Sequence, residues 1–347
     1  MHQPNQADYM AETIAKIMKK YRLTGKVLLI NAEQSNQDNE GVGFANKANT
    51  IPNQDNDVLY PSASLQKAMT AAMMIQIINE SKTSTNPISE YTTIERWFPD
   101  LNKGAAITIS QLLTHTSGIV DLKSERDPGF IMTEDQAVQA TVSRINASKL
   151  SLTHFYYDND NYILLAGIIR HETQMSYADN LTQRIINPLN LSHTFMWHDV
   201  SPQTHKLAVS YRSIGPWQYR KPRLANPQLM SYIVGAGNLY TTPDDYLKFQ
   251  RGLHNNQILN VADYTQLTHQ PDQPKNGYSG GMYHRHRGKL KKVYGYLRGT
   301  NYRNWVQLSG DSQYGIILFS NQSRSAATVK HAAYDILQLF SDKFDAK

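Results

Sequence analysis

Tyr60-Pro-Ser-Ala-Ser-Leu-Gln-Lys-Ala-Met-Thr-Ala-Ala-Met-Met-Ile-Gln-Ile-Ile-Asn79 joins a turn-like start to a long helical pattern rich in Ala and Met. Ser64 and Lys67 stand three apart at its head, which puts a hydroxyl and an amine on one face of the first turn. Behind them Met69, Met73, Met74 and Ile77 are apolar enough for the helix to be buried. A lysine on such a helix loses hydration, and the positive end of the helix dipole opposes an ammonium, so the neutral amine becomes accessible. A neutral amine beside a serine hydroxyl can take its proton, which makes a weak nucleophile usable. A Ser cap followed by a solvated Lys has the same spacing, so the chemistry needs further parts from elsewhere in the chain.

The bulk properties bound what those parts can be. A chain of 347 residues can bury a large core in one or two domains. With 40% hydrophobic and 18% charged residues it has the composition of a globular protein and not of a disordered one. The absence of cysteine excludes disulfides, thiolate nucleophiles and Cys-ligated metals. The formal charge of +6 favours an anionic partner or surface. The longest apolar run, Tyr162 to Ile169, is too short to span a bilayer. No signal peptide opens the chain, so an export signal or membrane anchor would have to lie outside this sequence.

Working outward, residues 6–22 read as an amphipathic helix, 25–30 as a strand and 41–44 as its hairpin partner. The Asn/Asp-rich segment 46–57 reads as a loop. Helices are expected at 107–118, 133–147, 162–169 and 177–186, and at Thr242-Pro-Asp-Asp245, where Thr suits an N-cap and Pro the first helical position. Strand-like composition then dominates 278–319 before a closing helix over 325–340. Strands near both ends around a helical middle predict an α+β fold: one antiparallel sheet built from both termini, flanked by terminal helices, with an inserted helical lobe. The expected division is an α/β lobe of residues 1–62 and 200–347 and a mainly helical lobe of 63–199, together one catalytic domain.

Two further stretches could supply chemistry. Tyr157-Asp-Asn159 sits at a polar turn before the Tyr162 helix, where a phenol could relay a proton and an amide could hold a substrate carbonyl. A turn Asn beside a satisfied core Tyr explains the same letters, and Tyr302-Arg-Asn304 repeats them. Tyr296-Leu-Arg-Gly-Thr300 ends a strand, where a glycine lets substrate backbone lie close and the Thr300 amide could face a reacting carbonyl. A strand-end Gly in a hairpin is the plain alternative.

In this order and spacing the pieces resemble the penicillin-recognising serine hydrolases: penicillin-binding proteins, D,D-peptidases, class C β-lactamases and related esterases. Ser64-Leu-Gln-Lys67 resembles the S-x-x-K motif and Tyr157-Asp-Asn159 the Y-x-N motif. Leu112-Leu-Thr-His-Thr-Ser-Gly118, Asn187-Pro-Leu-Asn-Leu191, Gly235-Ala-Gly-Asn-Leu-Tyr-Thr-Thr242 and Gly315-Ile-Ile-Leu-Phe-Ser-Asn321 are similar to runs of the class C-like branch. The resemblance implies a β-lactamase/D,D-peptidase-like fold and an acyl-enzyme mechanism. Ser64 would attack a carbonyl after losing its proton to Lys67, to Tyr157 or to the pair. Asn159 would orient the substrate amide, and the Ser64 and Thr300 N–H groups would form the oxyanion hole. No cofactor or metal is implied.

The third motif departs from the family. Aligned on Gly299, its basic position is Leu297, which can neither donate a hydrogen bond nor carry charge. Arg298 could restore the charge, since its fork suits carboxylate or phosphate, but strand neighbours point to opposite faces. The expected activity is therefore hydrolysis of D-alanyl esters, as on teichoic acid, over D,D-carboxypeptidase or weak β-lactamase activity. An inactive envelope-binding protein is the non-enzyme alternative. The expected setting is a bacterial cell envelope, with a cell-wall polymer as partner, a monomeric state, membrane-surface contact only through a segment outside this chain, and no nucleic acid. The basic run His284-Arg-His-Arg-Gly-Lys-Leu-Lys-Lys292 reads as a solvated turn, or as a contact for an anionic polymer.

Overall fold

The structure is a computed structural model that describes residues 6–31, 38–102, 104–120, 127–148, 155–213 and 219–340. Its centre is a seven-stranded antiparallel sheet. The strands are β1 (Thr24–Asn31), β2 (Asp38–Val42), β3 (Tyr278–Ser279), β4 (Met282–Arg285), β5 (Leu290–Tyr296), β6 (Arg303–Ser309) and β7 (Tyr314–Gln322). They lie in the order β3-β4-β5-β6-β7-β1-β2. Strand β1 therefore pairs with β7 from the far end of the chain, Leu28 opposite Ile317 and Ile30 opposite Gly315. All strands of this sheet come from residues 24–42 and 278–322, as the two-ended reading expects.

The near-continuous apolar run of β1 has a physical reason, since both faces of the sheet are covered. Val27 and Leu29 point one way, onto Ile14 and Met18 of α1 (Gln6–Lys20) and Val329 and Ile336 near the C-terminus. Leu28 and Ile30 point the other way, into the larger core shared with Met69, Met73 and Tyr60. Helix α2 (Lys67–Ser81) crosses that core with Met69, Met73 and Met74 fully buried, apolar all round as a central helix must be. Around it stand α3 (Ile109–Thr114), α4 (Glu134–Ala147) and α5 (Asn159–Thr173). Thr108 and Thr133 close capping boxes with Gln111 and Gln136, which sets where α3 and α4 begin. Helix α6 (Pro243–His254) starts as its letters require, with the Thr242 side chain accepting from the Asp245 N–H at 3.2 Å. Helix α7 (Ala326–Leu337) closes the outer face.

Two local expectations need correction. The segment 46–57 is more than a loop: Phe44–Asn46 pairs with Ile51–Pro52, and Asn53 is buried. Asn53 donates to Val42 O at 2.8 Å and accepts from the Tyr60 hydroxyl at 2.6 Å, joining this segment to the chain just before Ser64. The basic run 284–292 is not wholly solvated either. Register places Lys291 opposite Leu308 inside the sheet, and its side chain is buried, with Nζ 3.5 Å from Gln250 O.

Burial pushes the Lys291 ammonium down to about 7, with Asp311 opposing the shift. An unfolded lysine titrates near ~10.4. The folded state thus binds fewer protons than the unfolded one between these values, and stability rises with pH across that window. The penalty is complete below about 7 and fades as pH climbs toward ~10.4, at ~1.4 kcal/mol for each pH unit separating the two. Lys291→Met is expected to raise the urea midpoint at pH 7 and to flatten its rise between pH 7 and pH 9.5. A wild-type midpoint that falls over that range would contradict this account.

Candidate active site

Ser64 lies in a 3-10 turn, Ala63–Gln66, that runs straight into α2. The residue before it, Ala63, takes a φ of 47°, a left-handed conformation that costs an L residue ~1–3 kcal/mol. Tight packing holds the turn there. A Cβ on Gly237 would stand 3.1–3.3 Å from the Ala63 backbone, and one on Gly295 would stand 3.0 Å from the Ser64 nitrogen. Two glycines from distant segments thus let backbone close on both sides of the half-buried serine.

Lys67, the first residue of α2, is fully buried. Its Nζ lies 3.0 Å from Ser64 Oγ, 2.7 Å from Asn159 Oδ1 and 2.8 Å from Ala236 O. A neutral amine has two N–H donors and one lone pair, so it can donate to Asn159 and Ala236 and accept the proton of Ser64. Once it holds that proton, its three N–H groups match three oxygens. The arrangement accommodates both ends of a proton transfer without moving a side chain.

Tyr157 comes in from the turn before α5, with its hydroxyl directed toward Ser64. The Lys67 Nζ lies 5.0 Å from the centre of its ring. Burial holds the Tyr157 phenol well above the usual range despite the opposing effect of Ser64, so the phenol is neutral near pH 7. Asn159 is the first residue of α5, buried and in reach of both Lys67 and the pocket. Ser64, Lys67, Tyr157 and Asn159 therefore meet, although the pairs are about ninety residues apart in sequence.

The turn that carries Tyr157 is locked by a residue for which the sequence suggested no role in the site. His115 caps α3 in the left-handed region, at φ 57°, and its ring centre lies 4.3 Å from that of Tyr157. Its Nδ1 accepts from the Asp158 N–H at 3.4 Å and meets Asn161 Nδ2 at 3.0 Å. Burial, helped by the nearby Lys67 charge, pushes the imidazole well below its ordinary pKa, so it is neutral and accepts through Nδ1. The signal available was a lone His inside the Leu112–Gly118 run, which local pattern alone does not join to Tyr157.

The third motif is arranged differently from the sequence alignment. Strand β4 pairs with β5 only as far as Lys292, so the edge beyond it, toward Gly295, faces the Ser64 turn. Tyr296, Leu297 and Arg298 line the pocket with Ser64, Asn159, Leu229 and Gly237. Leu297 is 2% exposed, whereas Arg298 is open to solvent at the mouth. Gly299 and Thr300 are not among the residues lining the Ser64 pocket and instead line the groove beside it. The Thr300 N–H donates to Leu297 O at 3.2 Å and its hydroxyl donates to the same oxygen at 2.6 Å, so the donor expected for an oxyanion is used in a turn. Gly299 has a φ of 76° and a Cβ added there would meet nothing within 4 Å: the turn requires this glycine, not a close approach. The glycine that abuts Ser64 is Gly295.

The basic turn at 286–289 stands at the opposite end of β5 from Gly295. At ~3.3 Å per residue this is roughly 20 Å from Ser64. Among the described residues no helix is long and apolar enough to cross a membrane.

Comparison with known proteins agrees with this geometry. The chain is 27% identical over 340 residues to a teichoic acid D-alanine hydrolase of Staphylococcus aureus, covering 96% of this chain and 79% of the relative. Its fold is shared with FmtA from Staphylococcus aureus, at a TM-score of 0.76 and 23% identity over 96% of this chain and 90% of that one. D-amino acid amidase from Ochrobactrum anthropi SV3 also shares it, at a TM-score of 0.78 and 20% identity over 97% and 98% of the two chains. Residues 10–340 match the family described as Beta-lactamase, and with nearly its whole length inside that match the chain belongs to the beta-lactamase family.

Proposed function

We propose that this protein is a serine acyl hydrolase that removes D-alanyl groups from esters of the bacterial cell envelope, with D-alanylated teichoic acid as the substrate class. The observation that carries the reading is the Lys67 amine 3.0 Å from Ser64 Oγ, at a pocket lined by Asn159 and the apolar Leu297. The apolar Leu297 beside Ser64 offers no charge for a C-terminal carboxylate, and an ester of D-alanine has none. The sequence relative adds support, since it is named for this reaction.

In this mechanism Ser64 Oγ attacks the ester carbonyl as its proton passes to Lys67 Nζ. The carbonyl oxygen becomes an oxyanion facing the Ser64 N–H and an N–H from the end of β5, each donor worth ~3 kcal/mol in the transition state. The C–O bond to the polymer breaks, and the leaving alkoxide takes a proton from the neutral Tyr157 phenol or from Lys67, giving an alcohol and the D-alanyl-enzyme. Water then attacks the acyl-enzyme, its proton returns through the same groups, and D-alanine leaves with Ser64 restored. Asn159 holds Lys67 through Oδ1 and orients the substrate. A single catalytic domain with its site between sheet and helices is part of the proposal, as is an envelope location.

Arg298 at the pocket mouth favours a second reading, a D,D-carboxypeptidase that binds a carboxylate there. Intact mass measurement after mixing with a penicillin separates the two, run beside D-alanine release from D-alanylated teichoic acid. The ester reading expects D-alanine release and little or no penicilloyl adduct on Ser64. A stoichiometric adduct with no release of D-alanine from the polymer would sink it.

A further inference from the structure

The pocket at Ser64 opens, across Leu229 and Arg298, into a second and much larger groove. The two differ sharply in size: the groove has a cavity volume of about 460 Å³ against about 10 Å³ beside the nucleophile. The groove has room for what carries the acyl group. Its walls bear two arginines, Arg223 and Arg298, both exposed, and one carboxylate, Asp127. Arg223 Nη1 donates to Gly299 O at 2.8 Å, which ties its guanidinium to the turn that also presents Arg298. Among the described residues neither arginine has an ion-pair partner. Asp127 is occupied otherwise: one oxygen accepts from the Gly129 N–H at 2.8 Å and the other from Asn226 Nδ2 at 2.5 Å. The groove thus presents two forks of positive charge and a carboxylate already turned into its own wall.

We propose that this groove is a subsite for the phosphodiester backbone of an anionic polyol-phosphate polymer, held by Arg223 and Arg298 while the esterified side group enters the Ser64 pocket. The inference rests on the ester-hydrolase reading and supplies the chemistry of the substrate's backbone. Guanidinium forks pair with phosphate oxygens through two parallel N–H bonds, and two of them on one groove fit a repeating anion better than a single terminal carboxylate. The site also relocates the cationic contact expected from the basic run 284–292. That run lies at the far end of β5, and within it Lys291 is buried and the His284 imidazole is pushed down to about 4, chiefly by burial.

The test has a binding arm and a turnover arm. Affinity for dealanylated polyglycerol phosphate is measured at several salt concentrations for the wild type, Arg223→Ala, Arg298→Ala and Arg223→Lys. Each Ala variant is expected to bind at least fivefold more weakly and with a shallower salt dependence, while Arg223→Lys keeps part of the affinity. In the turnover arm, the ratio of kcat/KM on D-alanylated polyglycerol phosphate to that on D-alanyl glycerol is expected to fall at least tenfold in Arg223→Ala. Binding within twofold of wild type in both Ala variants, or an unchanged ratio, overturns the subsite. Phosphatidylglycerol vesicles and inorganic phosphate serve as competitors, and competition by either that equals the polymer's at matched phosphate overturns the polymer assignment. If the wild type releases D-alanine from neither substrate, the ester reading fails while the binding arm still decides the groove. If it releases D-alanine from both and the ratio survives Arg223→Ala, the ester reading stands and the subsite fails.

Discussion

Ser64→Ala is expected to cut kcat/KM for D-alanyl ester hydrolysis by on the order of 10⁴-fold or more, because the acyl-enzyme has no oxygen on which to form. The substitution removes one hydroxyl from a half-buried turn and is expected to leave the melting temperature nearly unchanged. Lys67→Ala is expected to be as inactive and also less stable. It leaves Asn159 Oδ1 and Ala236 O without the amine they share, at ~1–3 kcal/mol for each buried acceptor left unpaired. The double variant is expected to be no slower than either single one, since serine and base act as a unit. Tyr157→Phe is expected to fall less, by ~10²-fold, because it removes a neutral donor and leaves the nucleophile and its base in place. Steady-state rates with a D-alanyl ester, read beside thermal melts, check the series. A Ser64→Ala protein that keeps a tenth of the activity would exclude Ser64 as the nucleophile.

Gly281→Ala is expected to be strongly disruptive although it adds a single methyl group, because that methyl would press on the backbone at the head of α2. Gly281 forms the turn between β3 and β4 with a φ of 82°, where an L side chain is strained. A Cβ there would lie 2.4 Å from the Ala68 nitrogen and 2.6 Å from the Lys67 carbonyl carbon, so backbone would have to move against backbone. Overpacking of ~1–3 kcal/mol adds to ~1–2 kcal/mol of backbone strain, which should lower the melting temperature by ~3–7 °C in a protein of this size. The displaced backbone is that of Lys67 itself, so kcat is expected to drop alongside stability, by at least tenfold at temperatures where the variant is folded. Circular dichroism melts and rates at 15 °C test both halves. A variant that melts within 1 °C of wild type would show that the β3–β4 turn does not press on the head of α2.

Both expectations concern one contact region, but they differ in how visible they were in the letters. The Ser64–Lys67 pair is local. Three residues on a helix put the two side chains on one face whatever the rest of the chain does, and the apolar residues after them make the helix central. The start of α6 at Thr242-Pro243 and the two-faced burial of β1 are equally local, because caps and alternation act over a few residues. Tyr157 and Asn159 were legible only together with the other family-like runs, since a Tyr-x-Asn also occurs at 302–304, where Tyr302 donates to Ala208 O and Asn304 to Pro61 O.

What the amino-acid sequence determined by itself was therefore the α+β class, the central helix and the serine–lysine pair at its head. Only the tertiary structure decided which glycine of the C-terminal sheet faces that serine. Gly295 and Gly299 are four apart, and local sequence favours the one in the recognisable turn. Strand pairing decides otherwise: β4 stops at Lys292, the edge of β5 beyond it meets the Ser64 turn at Gly295, and Gly299 is spent on the turn that follows. Tertiary contacts likewise set His115 against Tyr157, buried Lys291 inside an apparently solvated basic run, and tied Arg223 to the turn that presents Arg298. Each joins residues far apart in the chain, which no local pattern reveals.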